Sequence, residues 1–120
     1  MWPFSPSNAR AGSVRVRPLD TDFSICGQVR PDQMAELAAA GFRAIICARP
    51  DGEDPGQPAF AEVARAAEAA GLKVAHVPVS GMVSQSAFMR FEQAMAELPR
   101  PVLGYCRSGG RAATLYAMLR

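Results

Sequence analysis

The chain has 120 residues, 49% of them hydrophobic and 20% charged, with a formal net charge of +2. A chain of that size forms one domain around one core, and its interspersed charges lack the basic stripe that binding to a phosphate backbone requires. No apolar run nears the ~20 residues that span a bilayer, and the start Met1-Trp2-Pro3-Phe4-Ser5-Pro6 lacks the basic and apolar regions of a secretory signal, so a cytoplasmic protein with neither nucleic acid nor membrane as partner is expected.

Residues 1–12, rich in Pro, Ser, Asn and Gly and without periodicity, read as a flexible tail, with the domain over 13–120. Trp2 and Phe4 fall in that tail, where exposed aromatics dock on another chain or fold back on this one. Strands are predicted over 14–19 and 23–26. Pro31 then opens a helix whose Met34, Leu37 and Ala38 share one face before Gly41 stops it.

The near-continuous apolar run 42–48 suits a buried strand, and 49–56 is an acidic loop of turn residues. Pro58 opens a second helix with Phe60, Val63, Ala64 and Ala67 on its apolar face and Gly71 as its C′ residue, and a strand follows over 72–79. Ser84 or Ser86 caps a third helix with Phe88, Phe91, Met95 and Leu98 at helical spacing, ended by Pro99 and Pro101. Residues 102–105 read as the central strand, and 111–120 as a last helix with Ala112, Leu115, Tyr116 and Leu119 on one face. The six methionines and the phenylalanine stripe are read as core packing. Alternation of short apolar runs with helical patterns predicts a single α/β domain with a mostly parallel sheet of four or five strands flanked by helices.

Cys26, Cys47 and Cys106 cannot all pair, and they form neither a C-x-x-C motif nor a cluster with His76, the single histidine, so no disulfide, metal or cofactor is expected. Cys26 and Cys47 sit among apolar strand residues and read as buried thiols. Cys106 is different. It stands at the carboxyl end of a strand, where α/β sheets bind ligands, and opens the loop Cys106-Arg107-Ser108-Gly109-Gly110-Arg111 before a helix. Ser108, Gly109 and Gly110 let successive backbone N–H groups point inward as an anion-binding nest. Arg111 adds a forked donor and Arg107 raises the local positive potential; together these lower a thiol pKa and make Cys106 the candidate nucleophile. Gln28 and Arg49, just beyond strand ends, are candidate substrate contacts or turn caps. His76, within a strand, reads as a packed or hydrogen-bonded side chain and not as a base.

The loop Tyr105-Cys106-Arg107-Ser108-Gly109-Gly110-Arg111 resembles the active-site loop of single-domain rhodaneses, with their Cys-x4-Arg spacing. The rest of the chain, through Gly27-Gln28, Ala40-Gly41-Phe42, Arg49-Pro50-Asp51-Gly52-Glu53, Ala70-Gly71, His76-Val77-Pro78-Val79 and Pro101-Val102-Leu103, is similar to the phosphatase-like domain of beta-lactamase hydrolase-like proteins. That family is related to dual-specificity phosphatases and is also classed with rhodanese-like sulfurtransferases. The resemblance implies a dual-specificity phosphatase-like fold, with a rhodanese-like fold as the alternative.

Two departures from the phosphatase pattern stand out: the loop is one residue shorter than Cys-x5-Arg, and Ser80 and Gly81 hold the place of the aspartate that protonates the leaving oxygen. Asp51, Glu53 and Asp54 are the carboxyls that can substitute, Asp51 foremost, unless the acidic loop is solvated or pairs with an arginine. The expected activity is that of a cysteine sulfurtransferase working through a Cys106 persulfide, with a small sulfur donor and a thiol acceptor as partners. The alternatives are a phosphatase that forms a Cys106 phosphocysteine from a phosphoester, and an inactive anion-binding module.

Overall fold

The structure, a computed structural model, describes residues 9–120. Its strands are β1 (Ala9–Ala11), β2 (Val14–Pro18), β3 (Phe23–Cys26), β4 (Ala44–Cys47), β5 (Lys73–His76) and β6 (Val102–Tyr105). The helices are α1 (Met34–Ala39), led in by a 3-10 turn at Pro31–Gln33, then α2 (Phe60–Ala69), α3 (Gln85–Glu97) and α4 (Gly110–Leu119). One sheet runs in the order β1-β2-β3-β6-β4-β5. The pairs β3–β6, β6–β4 and β4–β5 are parallel, whereas β1–β2 and β2–β3 are antiparallel.

Every residue of β3, β4 and β6 is buried, as expected of strands covered on both faces. On one face Met34 and Leu37 of α1 and Val63 and Ala67 of α2 pack on Cys26, Ile45, Cys47, Leu103 and Tyr105. On the other, Phe91 and Met95 of α3 and Ala112, Leu115 and Tyr116 of α4 pack on Phe23, Ile25, Ala44, Ile46 and Val102. Phe23 stacks on Tyr116 with centroids 4.4 Å apart and meets Phe91 edge-on at 5.8 Å. Gly104 makes room for it, since a Cβ there would lie 2.6 Å from the Phe23 ring. Ser84 caps α3 by accepting the Ala87 N–H at 3.1 Å.

The sheet has six strands, one more than predicted, and is mixed in direction. The extra strand, β1, lies inside the segment read as a tail; three residues, Ala-Arg-Ala, carry no alternation to betray it, and the turn Gly12-Ser13, with Gly12 at φ 65°, folds it back on β2. Residues 1–8, with Trp2 and Phe4, lie outside the described residues. The methionine reading also needs correction: Met34 and Met95 are buried, but Met82 is 92% exposed and Met89 and Met118 are exposed as well. Phe88 is only half-buried.

β6 occupies the middle of the parallel part, between β3 and β4. The segments that leave the carboxyl ends of β3, β4 and β6 therefore share one edge of the sheet. Gln28, the acidic loop and Cys106 all leave from it.

Candidate active site

Cys106 follows β6 directly and is 1% exposed, so its sulfur sits at the bottom of the loop. Gly109, at φ 97°, turns the chain so that its own N–H donates to Cys106 Sγ at 3.0 Å, and α4 begins at the next residue. A left-handed turn of this kind leading into a helix brings backbone amides round a single point. Burial alone would raise the Cys106 pKa, but hydrogen bonds from the backbone amides of Ala112, Ser108, Arg111 and Gly109 outweigh it, and the thiol pKa is lowered. Cys26 and Cys47, in the apolar interior, are pushed the other way by the same burial. The loop is seated against β3: the Cys106 N–H donates to the Cys26 carbonyl at 3.4 Å, and a Cβ on Gly27 would come 2.9 Å from the Arg107 carbonyl oxygen.

Arg111 is held by a fork. Its Nη1 and Nη2 donate to the two Glu53 carboxylate oxygens at 2.7 and 2.9 Å, and Nη1 also donates to the Val79 carbonyl at 2.7 Å. Glu53 takes a further bond from Arg49 Nε at 2.8 Å. Arg49 is 2% exposed and also donates to Gln28 Oε1 at 2.8 Å and to Asp54 Oδ2. Asp54 in turn lies 3.4 Å from Arg107 Nε. The Arg111 and Arg49 guanidiniums hold the Glu53 carboxyl down to about 2, so it is ionised at neutral pH.

The structure thus brings together Cys106, Arg107, Ser108, Gly109, Gly110, Arg111, Arg49 and Gln28 around one edge of the sheet. Gln28 contacts Arg49 with its oxygen and the Val29 carbonyl with its nitrogen, and Ser108 Oγ accepts from the Gly110 N–H at 3.3 Å. Asp51 is directed elsewhere: its Oδ1 accepts the Phe60 N–H at 2.8 Å, at the start of α2. His76 stacks on Phe60 at 4.4 Å, and its Nε2 is hydrogen-bonded to the Arg49 carbonyl at 2.9 Å. Ser80 and Gly81 are exposed and supply no carboxyl beside Arg111.

Sequence reasoning held Glu53 as a proton-donor candidate behind Asp51, with pairing of the acidic loop to an arginine as the alternative, but did not name Arg111 as that arginine. The signal for that role was the acidic loop leaving the sheet at the same edge as the cysteine loop, with Arg49 and Glu53 four positions apart. The Val79 carbonyl left no signal at all.

The model of the beta-lactamase hydrolase-like protein, phosphatase-like domain matches residues 15–120. A beta-lactamase hydrolase-like protein of Agrobacterium fabrum is 46% identical over 97 residues, which cover 80% of this chain and 22% of that protein. The chain therefore spans less than a quarter of that relative's length. Among solved structures, a candidate phosphatase of Neisseria meningitidis is 34% identical with a TM-score of 0.74, covering 82% of this chain and 70% of that one. A candidate phosphatase of Shewanella putrefaciens superposes with a TM-score of 0.78 at 20% identity, over 90% of this chain and 72% of that one, and shows the shared fold. With its α/β fold and most of its length matched, the chain belongs to the phosphatase-like domain family of beta-lactamase hydrolase-like proteins.

Proposed function

We propose that this domain is a cysteine sulfurtransferase. The Cys106 thiolate attacks the sulfane sulfur of a donor such as thiosulfate; the donor S–S bond breaks and sulfite leaves with the bonding electron pair. An acceptor thiolate then attacks the outer sulfur of the Cys106 persulfide, the Sγ–S bond breaks, and Cys106 leaves as the thiolate. The loop amides stabilise that thiolate, and Arg111, oriented by its ion pair with Glu53, lies beside the same sulfur. These steps call for no resident cofactor.

The observation that carries this reading is the engagement of the carboxylates. Glu53 is locked ionised between two arginines, Asp54 pairs with Arg49 and Arg107, Asp51 faces α2, and Ser80-Gly81 offers no carboxyl. Among the described residues no carboxylic acid stands ready to protonate a leaving alkoxide, a step worth roughly 10²- to 10⁴-fold. Sulfur transfer expels sulfite or a thiolate and needs no such proton.

The second reading is a phosphatase working through a Cys106 phosphocysteine. It is favoured by the fold and by relatives named as candidate phosphatases, of which one is 34% identical. Mass spectrometry after separate incubation with thiosulfate and with an aryl phosphate divides the two. One added sulfur on Cys106, absent from Cys106→Ser, is the expected result; a phosphoryl adduct, with no reaction toward thiosulfate, would put the phosphatase reading in its place.

A further inference from the structure

Beside the cysteine loop, β2 carries a group of arginines that the chemistry above does not use. β2 alternates buried and exposed residues, with Val14 and Val16 packed into the core and Arg15 and Arg17 exposed on the other face. Arg10 of β1 stands directly opposite Arg15 in the antiparallel register and is exposed too. Like charges opposed across two strands are unfavourable unless something neutralises them.

Nothing in the described chain does so, for among the described residues none of the three makes an ion pair, and residues 1–8 contain no Asp or Glu. The acids nearest in sequence are committed elsewhere. Asp20 accepts from the Tyr116 hydroxyl at 2.6 Å, Asp22 lies 3.6 Å from Arg100, and Glu36 is bonded to Ser13.

Two of the three, Arg15 and Arg17, line a cleft of about 300 Å³ together with Ile25, Gly27 and Ser108. That volume is at the small end of ligand sites. Ser108 belongs to the cysteine loop. Arg17 is opposite Ile25 in the register, and a Cβ on Gly109 would lie 3.4 Å from Ile25 Cδ1, so one strand separates the arginines from the loop. Two strand spacings, roughly 10 Å, therefore lie between β2 and the β6 edge that carries Cys106, within the span of a small molecule.

We propose that this cleft binds the anionic tail of the acceptor, which is a small thiol carrying one or more carboxylates. The tail sits between Arg15 and Arg17 while the thiol reaches the Cys106 persulfide past Ser108. The inference rests on the sulfur-transfer reading and names the acceptor class for it. Guanidinium forks suit carboxylates, and the net electrostatic attraction falls with ionic strength.

The test compares wild type with R15Q/R17Q, whose side chains are exposed and outside the core, using thiosulfate as donor and either mercaptosuccinate or neutral 2-mercaptoethanol as acceptor. The double variant is expected to raise KM for mercaptosuccinate about tenfold, the factor for losing charge-assisted hydrogen bonds, and to leave KM for 2-mercaptoethanol unchanged. Added salt should reproduce the loss in wild type. An equal change for both thiols, or none for mercaptosuccinate, overturns the proposal. If wild type forms no Cys106 persulfide, sulfur transfer itself fails, and calorimetric binding of succinate decides the cleft separately. Binding that R15Q/R17Q weakens about tenfold supports it, and absence of binding to wild type overturns it.

Discussion

Gly109→Ala tests the cradle at the residue on which its shape depends. Gly109 takes φ 97°, where an L side chain costs about 1–2 kcal/mol. The added Cβ would also stand 3.3 Å from the Cys26 carbonyl oxygen and 3.4 Å from Ile25 Cδ1, closer to the oxygen than is comfortable. If the loop keeps its shape, that strain appears as lost stability, worth about 3–6 °C in Tm per kcal/mol for a domain of this size. If the loop relaxes, the Gly109 N–H turns away from Cys106 Sγ, now 3.0 Å distant. A hydrogen bond to a charged acceptor contributes about 1.5–3 kcal/mol, and about 1.4 kcal/mol moves a pKa by one, so even partial loss raises the thiol midpoint by about one pH unit. The assay is the rate of iodoacetamide alkylation against pH, followed by peptide mass spectrometry at Cys106, alongside a thermal melt. Burial pushes Cys26 and Cys47 upward, so alkylation at the acid end of the titration reports Cys106. A variant with wild-type Tm and a wild-type alkylation midpoint would refute the claim that this turn builds the anion cradle.

Glu53 gives a pH prediction of definite sign. Its folded pKa, about 2, lies below the ordinary 4.5, so the stability it contributes is fully present above about 4.5 and is lost as pH falls toward 2. The Tm difference between wild type and Glu53→Gln should be constant from neutrality to about pH 5 and close below it; a gap that persists at pH 2 would show that the ion network is not its source. Asp51→Ala should lower stability by about 1 kcal/mol through loss of the Phe60 N–H acceptor at the start of α2. Its kcat should stay at the wild-type value, and a hundredfold fall in kcat would return Asp51 to the role of proton donor.

The alternation of apolar runs with helical patterns fixed the α/β class because each element carries its own period, and Pro31, Gly41, Gly71 and Ser84 mark element ends by local backbone chemistry. The cysteine loop was legible for the same reason: Gly109, Gly110 and the two arginines lie within six residues of sequence, and their nest is a local conformation. Tertiary structure alone decided the rest. β1 is three residues without a pattern and exists because the neighbouring edge of β2 offers its hydrogen bonds. The partner of Arg111 is Glu53, 58 residues away, and the pairing depends on a strand order that sets β6 beside β4. Arg10, Arg15 and Arg17 look in sequence like scattered surface charge. The antiparallel register turns them to one face, and Arg15 and Arg17 come to line a cleft beside the active-site loop only because the parallel β3–β6 pair brings that loop next to them. Local conformation is written in adjacent residues, whereas charge complementarity across the sheet is set by which strands become neighbours.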